Sequence, residues 1–174
     1  MVNHVVDSTP ALSASGVALF TDHTLETAPA AARPAMESVI AAWGHLPQAV
    51  ARMAESPHAL DGFLKLSALF ESTTLDPHAR ETVILTVATR NQCHLCIALH
   101  EKKLAALGPA EEPERLEAIR QFTHAVLASS GAVSYDELDL FLRHGYDRQN
   151  ALEVVLGIGA YTLSTLANRL TGAT

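Results

Sequence analysis

Apolar residues recur at helical spacing along most of this chain, and no stretch shows the period-two alternation of a half-buried strand. The pattern turns helical from Pro34 to Trp43 and stops at Gly44. Pro47 and Ser56-Pro57 then open two further helices, because proline's missing N–H does no harm in a first turn. The second of these carries Leu60, Phe63, Leu64, Ser67 and Leu69 as an apolar stripe. Asp76-Pro77 marks another start, with Asp as N-cap and Pro at the first helical position. That helix continues through Val83, Ile84, Val87 and Ala88 to a polar break at Arg90-Asn91-Gln92. A new helix begins at Cys93 and ends at Gly108-Pro109, a C-terminal glycine followed by a breaker. Helices are also predicted over about 112–129 and 134–144, the latter opened by a Ser134/Glu137 capping box. The last runs from near Asp147 to about Leu170. Trp43 reads as a core residue.

The fold class predicted is therefore all-α, with an αα-hairpin carrying the two cysteines. Residues 1–24, rich in Ser, Thr, Ala and Pro, read as an extended N-terminal arm, and residues 25–174 as one helical domain. Glu81–Ala88 and Glu153–Ala160 echo one another at an offset of 72 residues. A helical unit used twice is one reading of that echo. A chance match between Ala/Leu-rich helices is the other.

Composition narrows the function classes. At 48% hydrophobic and 18% charged residues the chain is not a disordered one. Its net charge of −7, with no Lys/Arg cluster, lacks the footprint of a nucleic-acid binder. The first residues have neither a basic nor an unbroken apolar region, so no signal peptide is expected. No run of roughly 18 apolar residues occurs, so no membrane span is expected either. A cytoplasmic location follows as the expectation. In that setting two cysteines three apart read as redox or metal chemistry, not as a structural staple.

The chemistry concentrates in Glu81, Cys93, His94, Cys96 and His100. Cys93, Cys96 and His100 fall on one face of a helix that begins near Cys93. A helix N-terminus favours thiolate, because its unpaired N–H groups and dipole stabilise negative charge. His100, one turn beyond Cys96, can move the proton that thiol chemistry requires. Along an unbroken helix Glu81 would lie ~18 Å from Cys93. Folded back at Asn91, however, Glu81 stands ten residues before the turn and His100 nine after, roughly level. A carboxylate there would orient the imidazole and raise its basicity. His94 reads as solvent-facing. Zinc held by Cys93, Cys96, His100 and either Glu81 or His94 is an alternative, although structural zinc sites generally add a second ligand pair far away in sequence. Covalent haem would need His where Ile97 stands. No cofactor is expected.

With these residues in place, the chain resembles the alkyl hydroperoxidase D-like (AhpD-like), peroxidase-related branch of the carboxymuconolactone decarboxylase superfamily. The motif that carries the resemblance is Glu81-x11-Cys93-x2-Cys96-x3-His100. Glu26 to Pro29, Trp43 to Pro47, Ser56-Pro57 and Leu152 to Leu156 look like further landmarks, so the resemblance spans roughly residues 24–172. It implies an AhpD-like helical bundle, commonly assembled as trimers or hexamers. It also implies reduction of hydroperoxides by the dithiol, which a lipoyl protein or a thioredoxin-like partner regenerates. Two positions depart from many relatives: Leu95 stands where they carry Tyr, and Gln48 where they carry Asn. In the resulting peroxidase cycle Cys96, nearer His100, is the expected attacking thiolate, Cys93 the resolving thiol, and Glu81 and His100 the proton relay; the two thiols swap roles if the N-terminal one is the exposed, low-pKa member, as in many CxxC sites. The alternatives are a disulfide-exchange or redox-sensing protein without peroxidase turnover, and a zinc-binding structural domain. A decarboxylase ranks last, since true decarboxylases of the superfamily lack the CxxC.

Overall fold

The computed structural model describes residues 19–174, and most of the arm expected over residues 1–24 lies outside them. Among the described residues every regular element is helical. A short 3-10 turn (Ala30–Ala32) leads into eight α-helices: α1 (Arg33–Trp43), α2 (Gln48–Met53), α3 (Pro57–Glu71), α4 (Pro77–Arg90), α5 (His94–Ala106), α6 (Pro113–Ser129), α7 (Tyr135–Arg143) and α8 (Arg148–Thr171). The start and stop signals act as expected. Gly44 ends α1 in the left-handed region at φ 76°, a conformation without penalty for a residue lacking Cβ. The Asp76 carboxylate accepts from the Ala79 N–H at 2.9 Å to open α4. Ser134 and Glu137 form the full reciprocal capping box of α7.

Two compact units make up the described chain. The first holds the residues up to Gly62 together with Leu166–Thr174. Here Arg52 donates to the carbonyls of Thr171 (2.7 Å) and Gly172 (2.6 Å) and pairs with Asp22. Gln48 donates to Asp22 at 2.9 Å and accepts from the Thr174 N–H at 2.9 Å. The hydrogen bond from Gln48, then Arg52, holds the Asp22 carboxyl below the usual carboxylate range.

The second unit, Phe63–Thr165, carries the larger apolar core: Phe70, Leu75, Val83, Ile84, Val87, Ile119, Phe122, Phe141, Val154 and Tyr161 are all buried. Phe122, Phe141 and Tyr146 stack in series at centroid distances of 4.2 and 4.4 Å, and the Arg115 guanidinium lies 4.5 Å over Tyr146. On α8, Gly157 admits the Phe70 ring so closely that a Cβ there would fall 2.5 Å from it.

Two expectations change. Trp43 is 55% exposed and not a core residue. It shares the helix face of buried Met36, but α1 ends on it, so no next turn extends the packed surface. On α3, Leu69 is exposed and Phe70, one residue on, is the buried member of the stripe. By length and mean hydropathy (1.2), α8 is the one described helix apolar enough to cross a membrane. Its buried face includes Val154, Ala160, Tyr161, Ser164 and Thr165, as in a core helix of a folded domain.

Candidate functional site

The site is built on the α4–α5 hairpin of the second unit. Helix α4 ends at Asn91, and Gln92 takes the left-handed region at φ 53° although it is not glycine. Such a residue costs roughly 1–2 kcal/mol and persists only where its surroundings enforce it. Two contacts pin this turn. The Cys93 N–H donates to the Ala88 carbonyl at 3.0 Å, and the Asn91 amide donates to Thr165 Oγ1 at 2.9 Å. Cys93 becomes the N-cap of α5, in extended geometry, and its carbonyl accepts from the Ile97 N–H. Cys96 then sits in the first turn of α5, where the helix N-terminus favours thiolate.

The hairpin forms two close pairs from the residues singled out in the sequence, one of sulfurs and one of carboxylate and imidazole. The Cys93 and Cys96 Sγ atoms lie 2.7 Å apart, longer than the about 2.05 Å of a disulfide bond. Glu81 Oε2 lies 2.6 Å from His100 Nδ1. An ionised carboxylate only accepts, so Nδ1 carries the proton in this pair and Nε2 is the nitrogen left for acid–base work. All four side chains are buried. His94 is exposed, as expected. A groove of about 420 Å³ beside Asp76 and Arg115 and another of about 560 Å³ along Thr82, Thr86 and Leu104 open on the same unit. Neither is lined by Glu81, Cys93, Cys96 or His100. Among the described residues, no three His, Cys, Asp or Glu side chains come together in an arrangement that could hold a metal ion.

One site residue escapes the sequence reading. Tyr161 of α8 is buried edge-on to His100, with ring centroids 5.4 Å apart and planes at 90°. Burial pushes its phenol up to about 12; the hydrogen bond to Ser67 opposes this, and the negative charges of Glu71, Glu81 and Cys96 add to it. No motif marks it. Its only signal is a lone aromatic in the Gly- and Ala-rich stretch Gly157 to Ala160.

No protein-family model matches this sequence, and no curated protein sequence does. Solved structures do match. An uncharacterised peroxidase-related protein with an alkylhydroperoxidase AhpD core, from Ralstonia eutropha JMP134, superposes with a TM-score of 0.73. At 20% identity, the match covers 89% of this chain and 90% of that one. The fold is AhpD-like. A second neighbour, an uncharacterised peroxidase-related protein from Silicibacter sp. TM1040, gives a TM-score of 0.67 at 14% identity, over 88% and 90% of the two chains. The debrominase Bmp8, solved as a cysteine-to-alanine variant with 2,3,4-tribromopyrrole, gives 0.64 at 14% identity over 90% of each chain.

Proposed function

We infer that the protein is a dithiol peroxidase that reduces small organic hydroperoxides or hydrogen peroxide. The observation that carries this reading is the Glu81–His100 hydrogen bond on the same hairpin as the paired Cys93 and Cys96 sulfurs. In the first step the Cys96 thiol gives its proton to His100 Nε2, and the thiolate attacks the terminal peroxide oxygen. An S–O bond forms, the O–O bond breaks, and the departing alkoxide takes a proton from His100. Cys93 then gives its thiol proton to His100 and attacks the Cys96 sulfur, and the expelled hydroxide takes that proton to leave as water as the Cys93–Cys96 disulfide closes. Glu81 orients the imidazole and stabilises the imidazolium while it holds the proton. An external dithiol, a lipoyl protein or a thioredoxin-like partner, returns both thiols by exchange. Family membership, an antioxidant role in the cytoplasm and assembly into trimers or hexamers belong to the same proposal.

Burial of both sulfurs favours a small peroxide over a protein disulfide as oxidant. The test is thiol titration and mass spectrometry of the reduced protein before and after one equivalent of tert-butyl hydroperoxide. Rapid loss of both thiols, with a mass loss of two hydrogens, supports the reading. Unreacted thiols, together with reduction of insulin disulfides, would replace it with disulfide exchange. The shared fold with Bmp8 makes a brominated pyrrole the second electrophile to offer, and the peroxidase reading expects it to survive intact.

A further inference from the structure

We propose that Tyr161 is a positioning residue for the dithiol chemistry: its ring, set edge-to-face on His100, fixes the imidazole so that Nδ1 stays on Glu81 and Nε2 serves the thiols. The inference rests on the peroxidase reading for its consequence, though not for its geometry. Two groups define the His100 ring plane. Glu81 holds one nitrogen at 2.6 Å, and a single hydrogen bond fixes that atom without fixing the tilt of the ring. The Tyr161 ring, perpendicular at 5.4 Å, removes that freedom. Edge-to-face pairing is the favoured arrangement of ring quadrupoles, so the contact is attractive and directional.

Tyr161 is itself held. Phe63 and Phe70 meet its ring edge-on at 6.2 and 5.9 Å, and Ser67 Oγ lies 3.4 Å from its hydroxyl. The Thr165 hydroxyl, which donates to the Tyr161 carbonyl at 2.6 Å, accepts from Asn91 in the turn before Cys93. One turn of α8 therefore braces the imidazole with Tyr161 and the CxxC turn with Thr165. The hydroxyl of Tyr161 points its bonding at Ser67, so the ring, and not the phenol proton, acts on His100.

The experiment uses reduced full-length protein and reads His100 by two-bond ring ¹H–¹⁵N correlation, together with the rate and pH profile of peroxide-driven thiol loss. In the wild type a single Nδ1-protonated tautomer is expected at high pH. Tyr161→Met should give mixed tautomers, slow thiol loss roughly tenfold to a hundredfold and move the pH profile. Tyr161→Phe, which keeps the ring, should restore all three. Phe63→Leu loosens only the brace and should shift the same readouts partway, which keeps the test open if the Met variant does not fold. A wild-type tautomer pattern and pH profile in Tyr161→Met, or in Phe63→Leu where Met does not fold, overturns the proposal. So does a loss in Tyr161→Phe equal to that in Tyr161→Met. A tautomer response without peroxide turnover in the wild type would leave the positioning role standing and remove the peroxidase reading instead.

Discussion

Glu81 is the residue whose chemistry is easiest to isolate, because Glu81→Gln keeps its shape and removes its charge. General acid–base groups contribute typically ~10²–10⁴-fold, so stopped-flow thiol loss with Glu81→Gln should slow by about 10²-fold or more. An unchanged rate would take Glu81 out of the relay. The two sulfurs are separated by trapping: Cys93→Ser should accumulate a sulfenic acid on Cys96, detected by dimedone labelling, and Cys96→Ser should not react on that time scale. Labelling of Cys93 in Cys96→Ser would reverse their roles. These three residues and His100 were picked out from the sequence, since chemistry of this kind needs rare side chains at fixed helical spacing. Tyr161 was not, because an aromatic ring edge-on to an imidazole is a property of two helices meeting, α8 and α5, and leaves no local pattern.

At the scale of elements, the helix ends were readable because caps are local chemistry: Asp76, Ser134 and Gly44 each satisfy or terminate backbone groups within four residues. What packs on what was less so. Trp43 and Leu69 have the right hydrophobicity and the right spacing, yet nothing in α1 or α3 tells which face finds a neighbour. The close approach of α8 to α3 is a case in point. Gly157→Ala puts a methyl group against Phe70 and Val83. Despite alanine's better helix propensity, it should cost about 1–3 kcal/mol, as overpacked cores do, and lower Tm in a thermal melt. A variant as stable as wild type would mean the Phe70 ring yields freely. The start of α8 gives a pH-dependent counterpart. Burial alone would raise Glu153, but hydrogen bonds from Thr74, Gln149 and Asn150 outweigh it and hold the carboxyl below its usual range. A depressed folded-state pKa stabilises above the ordinary Glu value of about 4.3 and loses that contribution as pH falls through the folded value. Glu153→Gln should therefore flatten the acid limb of Tm against pH, while the limb above neutrality stays as it is.

For the whole molecule, the C-terminal residues are the part that composition left unread. Arg52 gathers Asp22, Thr171 and Gly172 into one hydrogen-bonded knot within the first unit, and no sequence motif announces an arginine that binds carbonyls 119 and 120 residues away. Arg52→Met keeps the aliphatic stem and removes the donors. It should cost about 1.5–3 kcal/mol, the range for hydrogen bonds to charged groups, and hydrogen exchange should quicken at Gly172 to Thr174. Unaltered exchange there would show that the tail is held by its own packing.

The three-residue link between α4 and α5, Asn91 to Cys93, has a consequence for how the chain tolerates change. Every residue of an α-helix advances its direction by about 100° and its height by 1.5 Å. Adding or deleting one residue at Asn91-Gln92 would therefore swing His100 a quarter-turn or more out of phase with Glu81, even with every side chain unaltered. Substitution at Gln92 alters only the comfort of the bend, and substitution at Asn91 also removes the hydrogen bond to Thr165 that pins it. Its length works as a gear setting: the chemistry depends on how many residues make the turn more than on which ones they are.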